Sequence, residues 1–256
     1  MSSISIGPET GVIVTGGASG IGKATVFALA EAGRPVAAWD LNAAGAAAAA
    51  KEASERFGVA AIGIGIDVAD TAAFATAIAE SRATMGSIGG LVHGAGITGP
   101  GSVEDVTEEI WDRTLGIHLR AGAMLIRDLV PDLTRNAESA VVVISSIEGI
   151  VAHAAIVSYC SAKAGLLGLA RSSAAHLGSR GVRVNAICPG FIETPMFAAA
   201  VANADVLSAY LDRIPLKRLG RPDDIARTAR FLLSSDAAYI TAAEIVVDGG
   251  VTRTTF

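Results

Sequence analysis

Seven short apolar runs dominated by Val, Ile and Ala recur along the chain, each followed by a polar or glycine-containing turn and then a longer segment of helical period. They cover residues 11–15, 35–40, 59–66, 90–93, 140–145, 181–188 and 244–247. The runs are nearly continuous rather than alternating, which predicts strands buried on both faces. Helices are expected from Lys23 to about Ala32, where Gly33 stops the period, over 42–57, over 72–85, and from Thr107 toward Pro131 and beyond. Two more run through Tyr159 to about Leu177 and onward from Pro222. Thr107 is suited to an N-cap with Glu108 and Glu109 in the first turn, and Pro222 to a first helical position. This β–α alternation predicts an α/β fold, a doubly wound, Rossmann-like parallel sheet flanked by helices on both faces. Residues 191–214 are apolar without a clean period, so a substrate loop or lid is expected at about 190–215.

Composition narrows the class. A chain of 256 residues without an internal repeat or visible linker reads as one domain, 1–256. Half of it is apolar (51%) but only 5% is aromatic, which suits small-residue helices packed closely on a sheet. A net charge of −5 and no Lys/Arg cluster argue against a nucleic-acid partner. No basic-then-apolar leader stands at the start, and no apolar run approaches the roughly 18 residues that span a bilayer, so a soluble, cytoplasmic protein with no membrane partner is expected. Cys160 and Cys188 fall inside predicted elements, which favours reduced thiols over a disulfide or a metal pair; no metal site is expected. A mean hydropathy of +0.50 implies apolar surface hidden between subunits, and hence a homo-oligomer, a tetramer before a dimer.

The candidate chemistry sits where predicted strands end. Gly16-Gly-Ala-Ser-Gly20-Ile-Gly22 joins the first strand to the first helix. Glycines there let the backbone turn tightly against a diphosphate, which the free N–H groups and helix dipole would hold. Asp40 closes the second strand about twenty residues later, where a carboxylate accepts from adenosine ribose hydroxyls; that points to NAD, since a 2′-phosphate would meet like charge. Asp67 at the end of the third strand could accept from an adenine amino group. Structural alternatives stand beside these: a glycine connection with no ligand, Asp40 capping the next helix, and Asp67 or Asp70 as an N-cap. The small residues Gly94, Ala95 and Gly96 would leave room for a ribose. Tyr159 and Lys163 share a helix face at a spacing of four, so the ammonium is expected to pull the phenol pKa down from about 10 toward neutrality. Ser146, at the end of the fifth strand, could hold the oxygen whose proton Tyr159 handles. A Tyr-x-x-x-Lys pair alone also arises by chance on any helix.

Taken together, Thr15-Gly16-x-x-x-Gly20-x-Gly22, Asp40, Asp67-Val68, Ser146, Tyr159-x-x-x-Lys163, Asn185, Pro189-Gly190 and Asp248-Gly249-Gly250 resemble the short-chain dehydrogenase/reductase family over nearly the whole chain. The resemblance implies an NAD-dependent enzyme on a secondary alcohol or ketone, with Tyr159 as general acid/base, Ser146 on the substrate oxygen, and Lys163 on the nicotinamide ribose. It also implies Gly16, Ser19, Gly20, Ile21 and Gly22 around the diphosphate, Asp40 and Leu41 at the adenosine ribose, and Asp67 and Val68 at the adenine. Gly94 to Gly96 would pass beneath the ribose, with Pro189, Gly190, Ile192 and Thr194 at the nicotinamide. Three positions depart from the family pattern. His93-Gly94-Ala95-Gly96 stands for Asn-Asn-Ala-Gly, His118 for a relay asparagine, and Thr241-Ala242 where a glycine usually follows the threonine. The apolar loop favours a hydrophobic or alicyclic substrate. The competing functions are an NAD-binding sensor or scaffold without turnover, and a nucleotide-sugar epimerase or dehydratase.

Overall fold

In the computed structural model, which describes residues 9–198 and 201–254, every apolar run becomes a strand of one parallel sheet. The strands are β1 (Gly11–Thr15), β2 (Val36–Asp40), β3 (Ala61–Gly65), β4 (Ile88–His93), β5 (Ala140–Ile144), β6 (Arg183–Pro189) and β7 (Glu244–Val247). Their order across the sheet is β3-β2-β1-β4-β5-β6-β7, with every pairing parallel. The order reverses direction between β1 and β4, and ligands of doubly wound sheets bind at such a crevice, beyond the carboxyl ends of the strands.

Alternation within the strands builds two apolar layers. Val12 and Val14 of β1 pack with Val26 and Leu29 of α1 (Gly20–Glu31), Ala46 and Ala53 of α2 (Ala43–Phe57), and Ile225 and Leu232 of α9 (Pro222–Leu232). Ile13 faces the other way, into a layer with Phe74 and Ile78 of α3 (Phe74–Met85), Leu125 and Leu129 of α5 (Ala121–Leu133), and Leu166 and Leu177 of α6 (Val157–Leu177). At the amino edge of the sheet two buried arginines close the fold. Arg34 donates to the Leu233 carbonyl at 3.0 Å and Arg183 to those of Leu232 at 2.7 Å and Ser234 at 3.0 Å, which supplies donors to carbonyls at the end of α9. Among the described residues no helix is long and apolar enough to cross a membrane.

Several strand ends shift by one or two residues from the sequence expectation, and four larger differences have a local cause. Helix α1 starts at Gly20 rather than Lys23, because the first intrahelical bond already runs from Lys23 N–H to the Ser19 carbonyl at 3.0 Å. Strand β6 continues through Pro189, which pairs with Val247; the missing proline N–H is not needed there, since Gly190 N–H donates to the Val247 carbonyl at 3.0 Å. The helix from Thr107 is α4 (Glu108–Leu115), a π-helical turn (Gly116–Arg120) and α5 in one run, with the Thr107 hydroxyl accepting from Ile110 N–H as cap. Finally, the stretch expected as an irregular loop carries two helices, α7 (Pro195–Ala198) and α8 (Ala204–Asp212). Its apolar side chains pack on one another instead of forming one stripe against the body, which hides the helical period. Phe191 lies 5.7 Å from the Phe197 ring and 4.6 Å from Tyr210. Ala199 and Ala200 of that stretch, like the polar start before Glu9, lie outside the described residues.

Candidate active site

The turn between β1 and α1 is shaped for a close approach of backbone to ligand. Gly16 adopts φ +74°, a left-handed conformation costly to any residue with a β-carbon, and a β-carbon on Gly22 would fall inside the Gly16 carbonyl. Ser19 occupies the N-cap of the 12-residue α1, yet its hydroxyl makes no capping bond, so it and the first-turn N–H groups of Gly20, Ile21 and Gly22 are available to an anion. Two other segments join this turn. A β-carbon on Gly20 would stand 3.3 Å from Thr194 Cγ2, and the Thr15 hydroxyl oxygen accepts from the N–H groups of Gly94 and Ala95, each at 3.1 Å.

Asp40 is locked by backbone donors at the far side of the turn. Its Oδ2 accepts from Ala18 N–H at 3.0 Å and its Oδ1 from Asn42 N–H at 2.9 Å, which fixes the carboxylate toward the glycine turn; Asn42, not Asp40, caps α2. Leu41 beside it is 71% exposed, an apolar side chain left open at the strand end. Asp67 spends one oxygen on Ala69 N–H at 2.9 Å and Asp70 caps the next short helix, while the Val68 side chain is buried in the core. Ile192 is likewise a core residue, bridged to Gly220, so Val68 and Ile192 offer a ligand backbone more than side chain. Pro189 and Gly190 lie at the carboxyl end of β6 against β7 and Asp248. The set fits a dinucleotide: glycine turn, free helix N-terminus, fixed carboxylate and a small-residue ledge at Gly94 to Gly96 lie along one edge.

Ser146, Tyr159 and Lys163 come together farther along that edge. Ser146 stands two residues beyond the end of β5 in an extended conformation, capping the short turn at Ile147–Gly149, and its hydroxyl oxygen accepts from Glu148 N–H at 3.1 Å. Tyr159 and Lys163 sit one turn apart near the start of α6, with Lys163 Nζ 5.3 Å from the phenol ring centroid and donating to the Ile144 carbonyl at 2.7 Å. The expected acidification of Tyr159 by Lys163 is corrected here. Burial pushes the phenol up to about 12, against the Ser146 hydroxyl, which favours the phenolate. Burial also pulls Lys163 down to about 7. Spacing showed proximity but not desolvation, and desolvation disfavours the charged form of both groups.

The two departures at histidine form one network. His93 Nε2 lies 2.9 Å from the His118 carbonyl oxygen, which can only accept, so the hydrogen is on Nε2. Nδ1 then accepts from the Thr15 hydroxyl at 3.0 Å. The bonds that asparagine would make are thus replaced: His93 ties β1 to the π turn. His118 in turn sets its ring edge-on to Tyr159 at 5.4 Å, and its Nε2 faces both the Ile97 N–H at 3.1 Å and the Ile97 carbonyl at 2.9 Å, of which one tautomer bonds only one, while its buried Nδ1 has no hydrogen-bond partner among the described residues. Its ring fills the space beside Gly96.

Protonation of His93 would break this network, and burial pulls its pKa from 6.5 to about 4. The unfolded chain takes up the proton near pH 6.5 and the fold does not, so stability should fall as the pH drops from 6.5 toward 4, by on the order of 3 kcal/mol from this side chain. Denaturant midpoints at pH 7 and pH 4.5 test this. The fall should be shallower in His93→Asn, and equal falls would remove His93 as its source.

The third departure, Ala242, has φ +59°, a strained value for alanine that its neighbours hold in place. Ala242 N–H donates to the Val184 carbonyl at 2.8 Å, and Ala243 N–H to Asn185 Oδ1 at 3.0 Å. It therefore serves the β6–β7 junction.

Comparison with known proteins is consistent across the chain. A family model described as enoyl-(acyl carrier protein) reductase matches residues 16–252. The chain is 36% identical to 2-(S)-hydroxypropyl-CoM dehydrogenase 3 of Xanthobacter autotrophicus, over 94% of this chain and 96% of that one. It is also 36% identical to 2,5-dichloro-2,5-cyclohexadiene-1,4-diol dehydrogenase LinX of Sphingobium indicum, over 93% and 94%. A solved structure of a short-chain type dehydrogenase/reductase from Mycobacterium ulcerans superimposes with a TM-score of 0.91 at 32% identity, covering 96% of this chain and 90% of that one.

Proposed function

The chain belongs to the short-chain dehydrogenase/reductase family of oxidoreductases, and from that membership we propose that it interconverts a secondary alcohol and its ketone with NAD, on a hydrophobic or alicyclic substrate. The observation that carries the reading is the meeting of Ser146, Tyr159 and Lys163 on the edge of the sheet that also holds the glycine turn. Bound NAD would supply a hydride acceptor at C4 of its nicotinamide and a positive charge near the phenol. Gly16, Ser19, Gly20, Ile21 and Gly22 would hold the diphosphate, Asp40 and Leu41 the adenosine ribose, and Asp67 and Val68 the adenine. Gly94, Ala95, Gly96 and Lys163 would hold the second ribose, and Pro189, Gly190, Ile192 and Thr194 the nicotinamide.

Within that frame the residues divide the proton work. Ser146 donates to or accepts from the substrate oxygen and orients it toward Tyr159. With its phenol pushed up to about 12, Tyr159 is a proton donor in the ketone direction. Taking the hydroxyl proton of an alcohol requires the phenolate, which positive charge close by favours. As the carbinol carbon loses hydride, that proton passes to Tyr159 and a carbonyl remains. The aromatic cluster of Phe191, Phe197 and Tyr210 supports an apolar substrate under the lid. Open apolar side chains such as Leu216 at 65% and Val103 at 79% exposed support a homo-oligomer, which we read as a tetramer acting in the cytoplasm.

A panel of secondary alcohols with NAD and with NADP, followed by absorbance of the reduced nicotinamide, tests the reading. Turnover with NAD is expected, and NADH binding without turnover of any substrate would favour the sensor or scaffold instead. In Asp40→Ala the preference for NAD over NADP should narrow by roughly tenfold or more, the worth of hydrogen bonds to a charged group. An unchanged ratio would mean that Asp40 does not read the ribose.

A further inference from the structure

Arg213 stands at the end of the lid, where backbone packing ties it to the carboxyl edge of the sheet. Its N–H donates to the Tyr210 carbonyl at 3.1 Å as the C-cap of α8, and Ile214 beside it is buried. Small residues beyond β6 and β7 let this stretch come close. A β-carbon on Gly249 would stand 2.9 Å from Ile214, and one on Gly190 2.7 Å from the Asp248 side chain. Gly190 in turn follows the strand whose Ile187 carbonyl accepts from Ser145 N–H at 2.8 Å, one residue before Ser146. Position 213 is thus joined to the reacting end of the crevice by contiguous packing.

The Arg213 side chain is exposed, and its guanidinium carbon lies 5.5 Å from the centroid of the Phe191 ring. That ring is held from other sides by Phe197 and Tyr210. Contact with a ring face steadies the cation but spends none of its five N–H donors. Among the described residues this guanidinium makes no hydrogen bond and no ion pair. Arg218, farther along the same stretch, is already committed to Asp224 at 2.7 Å. Burial raises the Glu148 pKa, and the charges of His153 and Arg213 hold it down without pairing to it.

We propose that Arg213 is a specificity-determining residue that binds a carboxylate at the far end of the substrate, so that the preferred substrate is a hydroxy acid, or the corresponding oxo acid, rather than a neutral alcohol. The inference rests on the alcohol-dehydrogenase reading above and adds the substrate class. The parallel donors of a guanidinium match the two oxygens of a carboxylate, and a side chain already steadied on a ring loses less freedom when it binds. An ammonium would meet like charge there. An ester would forgo the charge-assisted bonds. The Phe191 ring beside the guanidinium calls for an apolar spacer between carbinol and acid, in keeping with the aromatic cluster under the lid.

Hydroxyalkanoic acids of increasing chain length, with the hydroxyl on the carbon next to the far methyl group, test this with saturating NAD. Each is compared with its methyl ester and with the corresponding amino alcohol. At the best-fitting length wild type should favour the acid over its ester in kcat/KM by about tenfold or more. In Arg213→Ala that ratio should collapse toward one, mainly through KM of the acid. Arg213→Lys, which keeps the charge but not the planar fork, should retain only part of it. Turnover of acid and ester alike at every length, a preference untouched in Arg213→Ala, or a stronger preference for the amino alcohol overturns the inference and leaves the dehydrogenase reading intact. An equal loss on acid and ester in Arg213→Ala, the mark of a structural role, overturns it too. If wild type turns over no member of any set, both readings fall.

Discussion

Tyr159→Phe is expected to bind NADH nearly as tightly as wild type and to lose turnover by about 10²- to 10⁴-fold, the range that a positioned general acid or base contributes. The substitution removes one oxygen and keeps the ring, so the edge-on packing of His118 at 5.4 Å and the approach of Lys163 at 5.3 Å from the ring centroid should both survive. A merely structural tyrosine would show a loss of stability in place of a loss of rate. Fluorescence titration with NADH and steady-state kinetics on the same preparation separate the two. A loss carried by kcat and kcat/KM alike indicates an interaction made in the transition state. Retained turnover would end the assignment of Tyr159 as the proton-handling group.

Gly22→Ala should do the reverse. A β-carbon there meets the backbone carbonyl of Gly16, which cannot swing aside as a flexible side chain would. Forcing extra atoms into a packed site costs about 1–3 kcal/mol, equivalent to a rise in the NADH dissociation constant of roughly 5- to 150-fold if the strain opens the turn. The same titration reads it, with circular dichroism confirming that the sheet is retained. Unchanged affinity in a folded variant would mean that the glycine turn is not where the diphosphate binds.

Much of this architecture was legible because strand burial writes itself into composition. Runs such as Val141 to Ile144 and Val12 to Val14, bounded by turn residues, read as strands covered on both faces, and the glycines after β1 and β4 mark the carboxyl edge of the sheet. What stayed hidden depends on long-range contact. The π turn at Gly116–Arg120 leaves apolar residues on both sides in plausible helical register, so nothing local betrays the extra residue. The lid helices were obscured because Phe191, Phe197 and Tyr210 pack on one another. The expected direction of the Tyr159 shift failed for a related reason: a spacing of four shows that two groups are neighbours, but solvent exclusion is decided by residues far away in the chain.

The contacts from Thr15 through His93 and His118 to Tyr159 form an unbroken series across the middle of the molecule. Exchange of His93 would leave both the Thr15 hydroxyl and the His118 carbonyl without their ring partner. A shorter residue at position 93 would release the carbonyl at 118, and the helix could then relax to an ordinary period and turn its remaining length by a fraction of a revolution beneath the reacting phenol. In any lineage that carries this arrangement, positions 15 and 93, which meet side chain to side chain, should therefore be inherited together, whereas position 118 meets His93 only through its backbone carbonyl.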